Sequence, residues 1–428
     1  MRRNFLNKFV DGFRSRGMPV LAGVSGNLME WYDFGLYGVL AATLGKLFFS
    51  DGGGFVGLLA VYGVFAAGYL ARVAGGMMLG HIADRYGRRR SLLLSAFAMA
   101  LATFLVGCLP TIQMIGVAAP VLFTIFRLIQ GLSVGGEFTT SLSFLIENAP
   151  PNRRAFHGSF AAMSATTGLL LGSGTGNLLF SIFTPEEIAN WAWRIPFWLS
   201  LPMGLFIAVL RRVLPDDAPT ERAKSGPSPV ARVLKEHPAM IVRGALLGWG
   251  SAAAFYLMAV FLSSYLATEH YLEEKTALAV QTMSIATVIV AMPLSGLLAD
   301  MFGRKKMVLF SSMACVLLVI PLFLVLRQGS GAWDFMAAGI FSIVVAAGFT
   351  PYQVWIAELF PHDMRGSGLG ISYNIAAGFF GGTTPLLATA LIQFSGNPVA
   401  PAVLVVISSL ITIGAAWSLK DTARKRTG

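Results

Sequence analysis

The sequence predicts an all-α membrane protein: twelve transmembrane helices in two six-helix bundles related by pseudo-two-fold symmetry. Three observations carry this. The 428 residues are 55% hydrophobic and only 12% charged, about half the charged share of a soluble domain, and mean hydropathy is +0.68. Apolar runs of about 20 residues, enough to cross a hydrocarbon core of roughly 30 Å, recur from end to end. A motif repeated after half the chain divides it in two.

The runs are 19–49, 56–81, 91–109, 116–146, 156–182, 192–213, 240–268, 276–299, 306–326, 333–359, 366–394 and 399–419. Charge orients them. Twenty-six of the 32 Lys and Arg fall on the side shared by the termini and the even-numbered connections, against Lys46, Arg194, Lys275 and Arg327 on the other. By the positive-inside rule both termini are cytoplasmic. The net charge of +11 is therefore topological and implies no nucleic-acid partner. Trp191, Trp193, Trp333 and Tyr271 are expected as an aromatic belt at the outer ends. Cys108 and Cys315 lie in apolar runs and read as small buried hydrophobes. The opening Arg2-Arg3 lacks the apolar core and cleavage site of an export signal.

The repeat is G-x-x-A-D-x-x-G-R-basic-basic. It runs from Gly80 through Asp84 and Arg88 after the second span, and from Gly296 through Asp300 and Arg304 after the eighth. Glu147 and Arg153 after span four are echoed by Glu358 and Arg365 after span ten. Six-span halves of equal orientation fit parallel repeats about an axis along the membrane normal. Between them, Pro215 to Pro238 holds five prolines and mixed charges and reads as a linker. The expected organisation is a cytoplasmic segment 1–18, a first bundle 19–213, a cytoplasmic linker 214–239, a second bundle 240–419 and a basic tail 420–428.

Ionisable residues inside spans mark functional sites by default, because an unpaired charge there costs several kcal/mol. Glu30 and Asp33 lie on span one, Arg72 on span two, Arg127 and Glu137 on span four, and the second half has none at comparable depth. Asn27, Glu30, Asp33, Phe34 and Tyr37 share one helical face. At 1.5 Å per residue, Glu30, Arg72 and Glu137 lie about 14–16 Å from the cytoplasmic ends of their spans. They are expected to form one acid–base group. Asp33 lies a turn further out and is expected to meet Arg127, whose helical face also carries Gln130 and Ser141. An arginine partner favours a charged carboxylate whereas burial and a neighbouring acid disfavour it. A site where these compete can change protonation as access alternates, so Asp33, Arg127, Glu30 and Glu137 are the candidates for proton coupling. Candidate substrate contacts are Arg72, Asn27, Tyr37 and Gln130 in the first half, and Gln353, Tyr373 and Asn374 in the second; Tyr256 and Gln281 are further polar candidates.

The two repeated loops resemble the signature loop of the major facilitator superfamily, over the full chain. Within it, Gly26-Asn27-x-x-Glu30-Trp31-Tyr32-Asp33-Phe34 and Arg127-x-x-Gln130-Gly131-x-Ser133-x-Gly135-Gly136-Glu137 resemble the metabolite:proton symporters, as do Trp193-Arg194-Ile195-Pro196-Phe197 and Phe380-Gly381-Gly382-Thr383-Thr384-Pro385. The resemblance implies a proton-coupled symporter in a bacterial inner membrane, driven by the proton gradient without a cofactor and functional as a monomer. It associates the arginine of R-x-x-Q-G, here Arg127, with proton transfer. It makes Gly80, Asp84, Arg88, Glu147, Asp300, Arg304 and Glu358 latches of the cytoplasmic side. Gly168, Gly172, Gly174 and Gly176 resemble an antiporter motif without its proline, which favours symport. The expected substrate is an organic acid such as citrate or a dicarboxylate. Osmolyte members often carry a long coiled-coil tail, and this sequence stops nine residues after Leu419. A zwitterionic osmolyte of the proline/glycine betaine type is the alternative.

No P-loop, H-E-x-x-H or Cys/His cluster suggests ATP drive, a metal or an enzyme. A membrane sensor, the reading from a different class, would be expected to add a cytoplasmic output domain.

Overall fold

The computed structural model describes residues 18–49, 54–86, 88–211, 229–268, 272–329, 331–361 and 364–422, and all regular structure among them is helical. Twelve long segments follow one another: α1 Met18–Phe48, α2 Gly54–Tyr86, α3 Arg88–Cys108, α4 Ala118–Glu147, α5 Arg154–Ile182 and α6 Ala192–Arg211, then α7 Pro238–Thr268, α8 Glu274–Phe302, α9 Arg304–Leu326, α10 Ala332–Leu359, α11 Arg365–Ser395 and α12 Ala400–Ser418. Each falls on one of the apolar runs, with ends shifted by a few residues. Ten are long and apolar enough by composition to cross a membrane among the described residues. The other two, α1 and α5, are 31 and 29 residues long.

α1 and α5 lie backbone to backbone: a Cβ on Gly168 or Gly172 of α5 would meet the carbonyl oxygens of Leu28 or Tyr32. Within a bilayer, helices associate through such close approach because lipid is as apolar as leucine. Gly168 and Gly172 therefore serve close contact with α1.

The two bundles meet along α1, α2 and α5 on one side and α7, α8 and α11 on the other, while α3 packs with α6 and α9 with α12. Contacts across the interface occur at both ends. Towards the end without the basic loops, Tyr62 donates to Ser264 Oγ at 3.0 Å and Ser173 Oγ lies 2.9 Å from Thr282 Oγ1. At the basic end, Asp300 of α8 accepts from the backbone N–H groups of Ala155 (3.0 Å) and Phe156 (2.8 Å). These are free donors of the first turn of α5, capped here by the opposite bundle. Arg304 sits 2.9 Å from Asp300 and 3.2 Å from Glu358, and Arg365 pairs with Glu147 across the interface at 3.3 Å. The expected counterparts Gly80, Asp84 and Arg88 lie outside the residues whose side chains are described.

Four helices depart from α geometry: α6 opens as a 3-10 turn over Ala192–Arg194 and is interrupted at Leu199. α4 is interrupted between Val134 and Glu137, α7 is π-helical over Leu257–Phe261, and α11 over Asn374–Gly381. Such interruptions cluster at functional sites because they redirect backbone groups. In α7 the gap is closed by Gln281, which donates to Ala259 O and accepts from Ser263 N–H, both at 2.8 Å. Gln281 thus patches a helix rather than lining a site. The belt is corrected too. Trp191 and Trp333 are exposed, but Trp193 is fully buried, edge-on to Phe48 and Phe197. Tyr271 lies outside the described residues. Cys315 is buried as expected, whereas Cys108 is exposed.

Candidate functional site

The charged residues of the first half resolve into three buried ion pairs. Arg127 Nη1 lies 2.5 Å from Asp33 Oδ2, with both side chains 1% exposed. Asp33 Oδ1 accepts from Gln130 Nε2 at 2.8 Å and from Thr103 Oγ1 at 3.1 Å, so this carboxylate has a partner for each oxygen. Arg127 is also enclosed by aromatic faces, its guanidinium carbon lying 4.0 Å from the ring centre of Tyr37, 4.9 Å from Phe65 and 5.0 Å from Phe34. Ring quadrupoles attract a desolvated cation, which helps hold the arginine in place.

The second pair joins Arg72 and Glu30, in direct contact. Arg72 Nε donates to Asn374 Oδ1 at 2.8 Å, and Asn374 Nδ2 donates to the carbonyl of Gly135 at 2.9 Å. One carboxamide from the second bundle thus ties α2 to the interruption in α4. The Tyr69 and Tyr373 rings lie 6.0 Å from the Arg72 guanidinium carbon. The Tyr256 hydroxyl donates to Tyr69 Oη at 2.5 Å across the interface.

The third pair departs from expectation. Glu137 does not join Glu30 and Arg72; it contacts Arg211 of α6. Arg211 is fully buried and also donates to Leu92 O at 2.6 Å. Residue 211 was counted among the cytoplasmic basic residues because it stands near the end of its apolar run. A Cβ on Gly26 would overlap both Glu137 and Arg211, so the first glycine of the Gly26-Asn27 motif leaves room for this pair.

Other predicted contacts also find definite places. Tyr37 and Gln130 belong to the Asp33–Arg127 cluster rather than to the Arg72 side. Asn27 is fully buried and donates to Ser164 Oγ of α5 at 3.4 Å. Tyr373 stacks on Phe138 with ring centres 4.6 Å apart. Gln353 is fully buried on α10 but forms no hydrogen bond with Arg72, Tyr373 or Asn374. Thr103 was missed, since an uncharged threonine in an apolar run carries no signal. Tyr69 was missed for the same reason.

Between Arg72 and Arg127 lies a cavity of ≈ 10 Å³, lined by Phe34, Gly68, Tyr69, Gly131 and Val134 as well as both arginines. That is room for about one water molecule. A metabolite can enter only if the surrounding helices move apart. Chemically, the site offers two guanidinium groups for a carboxylate, aromatic faces for a cation, and two carboxylates that can carry protons.

Comparison with known proteins agrees with this architecture. The family model of the Major Facilitator Superfamily matches residues 24–383. The chain is 30% identical to the glycine betaine/proline/ectoine/pipecolic acid transporter OusA of Dickeya dadantii, over 97% of this chain and 85% of that protein. It is 32% identical to the shikimate transporter of Escherichia coli, over 94% of each. In fold it is similar to the xylose transporter XylE from E. coli in a partially occluded inward-open conformation, with a TM-score of 0.74 and 17% identity, covering 95% of this chain and 98% of that one. The repeated loops, the twelve-helix architecture and these matches agree: the chain belongs to the Major Facilitator Superfamily, in its metabolite:proton symporter family.

Proposed function

We propose that this transporter is a proton symporter that imports a small zwitterion carrying a carboxylate and a substituted ammonium group, of the betaine or proline type. The observation that carries the reading is charge balance. Each arginine near the cavity is matched by its own acid, Arg72 by Glu30 and Arg127 by Asp33, so the site is neutral before anything binds. A di- or tricarboxylate would add uncompensated negative charge to a low-dielectric cavity, which costs several kcal/mol per charge. A zwitterion adds none. Its carboxylate suits Arg72, and its ammonium group suits the faces of Phe34 and Tyr69 and the acid of Glu30. The similarity to the betaine and proline transporter supports the same reading.

In this scheme Asp33 takes up the coupled proton while Thr103, Gln130 and Arg127 hold its position. Asp300, Arg304, Glu358 and Glu147 fasten the basic end, which faces the cytoplasm together with both termini. The protein works as a monomer, since one chain supplies both ion pairs and the whole lining of the cavity.

An organic acid such as citrate or a dicarboxylate is the second reading. Two arginines on one cavity favour it, as does the likeness to a shikimate transporter. Uptake of labelled glycine betaine, proline, shikimate and citrate into proteoliposomes under an imposed proton gradient separates the two. Betaine or proline should accumulate and a protonophore should abolish accumulation. Accumulation of citrate or shikimate alone would overturn the zwitterion reading.

A further inference from the structure

Asn374 is the first residue of the π-helical stretch of α11 and the only side chain of the second bundle, among the described residues, hydrogen-bonded to an ion pair of the first. Both ends of its carboxamide are used there, Oδ1 on Arg72 Nε and Nδ2 on the carbonyl of Gly135 at the interruption of α4. The side chain is 5% exposed, and the neighbouring Tyr373 hydroxyl is buried with no hydrogen-bond partner. Arg72 meanwhile lines the cavity. The group that occupies its Nε in the closed molecule is therefore a neutral amide oxygen, placed where an incoming carboxylate would bind.

We propose that the Asn374 carboxamide is an internal stand-in for the substrate's carboxylate. It occupies Arg72 while the site is empty and joins the bundles through Gly135. Substrate arriving at Arg72 displaces it and so unfastens the interface. A carboxylate on a guanidinium adds an opposite charge, and a bidentate geometry, to a bond that the amide makes with the donor alone charged, so the exchange favours substrate. A ligand shifts a conformational equilibrium only through its different affinity for the two states. Here the difference has a structural origin, because the bound state lacks the Arg72–Asn374–Gly135 bridge. Asn374 is then a positioning residue that competes with substrate, not a contact that adds to its affinity.

This inference rests on the reading that Arg72 receives a carboxylate, and the test separates the two. Cys108 and Cys315 are replaced by serine, and a single cysteine is placed at Ser264, which faces Tyr62 across the interface. Maleimide labelling of the protein in nanodiscs then reports opening of that seam without substrate. Asn374→Ala should raise substrate-free labelling roughly tenfold, the loss expected for about two hydrogen bonds, and should tighten glycine betaine binding several-fold by calorimetry. Asn374→Asp gives Arg72 a charged internal partner but has no donor for the Gly135 carbonyl, so the variant keeps only the Arg72 half of the bridge, strengthened, and should weaken betaine binding.

Unchanged labelling in Asn374→Ala, or weaker betaine binding in that variant, overturns the proposal and makes Asn374 an ordinary contact or ligand. Should Asn374→Ala fail to fold, betaine binding in Asn374→Asp as tight as in wild type overturns it equally. Faster substrate-free labelling of Asn374→Ala with no betaine binding by any variant supports the bridge and removes the zwitterion reading alone.

Discussion

Asp33 and Arg127 meet at 2.5 Å, Oδ2 against Nη1, while the other carboxylate oxygen is held by Thr103 and Gln130. Every donor around this acid is in place, so neutralising the acid leaves a buried arginine with only the Gln130 amide oxygen and aromatic faces for company. Asp33→Asn should abolish proton-driven accumulation of betaine yet retain counterflow exchange of labelled for unlabelled substrate. Equal accumulation by the variant and wild type in proteoliposomes would remove Asp33 from the coupling step.

Glu137 and Arg211 are a clamp between α4 and α6 rather than part of the cavity. Breaking a buried pair costs about 3–5 kcal/mol, whereas replacing both partners by apolar residues is often neutral. Glu137→Met alone should lower thermal stability in detergent markedly, and Glu137→Met/Arg211→Met should recover most of it together with uptake. A stable double variant that no longer transports would assign the pair a functional part.

Asp300 caps α5 from the opposite bundle. Removing such a cap costs about 1 kcal/mol. Asp300→Ala should therefore open the basic end about fivefold more often, read as faster labelling of a single cysteine at Val354, which packs against Gly158. Labelling at the Ser264 seam should not rise with it.

Gln281 satisfies two backbone groups in the π-helical part of α7. Gln281→Leu leaves both unpaired, at about 1–3 kcal/mol. The variant should be less thermostable with KM for betaine unchanged. A large rise in KM at full stability would return Gln281 to the binding site.

Much of this architecture is legible in the sequence, for identifiable reasons. Hydropathy and the loop repeat mark the spans because lipid tolerates little else. Asp33 and Arg127 are legible because charges in apolar runs are rare and helical rise gives their depth. Arg211 escaped because its run ends beside it, and a terminal arginine looks solvated until α3 and α4 are seen to cover it. Thr103 and the rings around Arg127 carry no charge to betray them. The π-helical turns of α7 and α11 have no compositional mark at all, since they follow from tertiary fit. Asn374 was legible as a polar residue in a span. That both ends of its amide would be spoken for by the other bundle was not.

The neutrality of the paired charges has an electrical consequence. An empty carrier whose buried arginines and acids cancel can return across the membrane without moving net charge. Loaded with a zwitterion and one proton on Asp33, the same core carries a single positive charge. The membrane potential then acts on the loaded step alone, contributing about 2.3 kcal/mol for each 100 mV. A potential of that size, negative inside, supports roughly 50-fold accumulation even with no pH difference across the membrane.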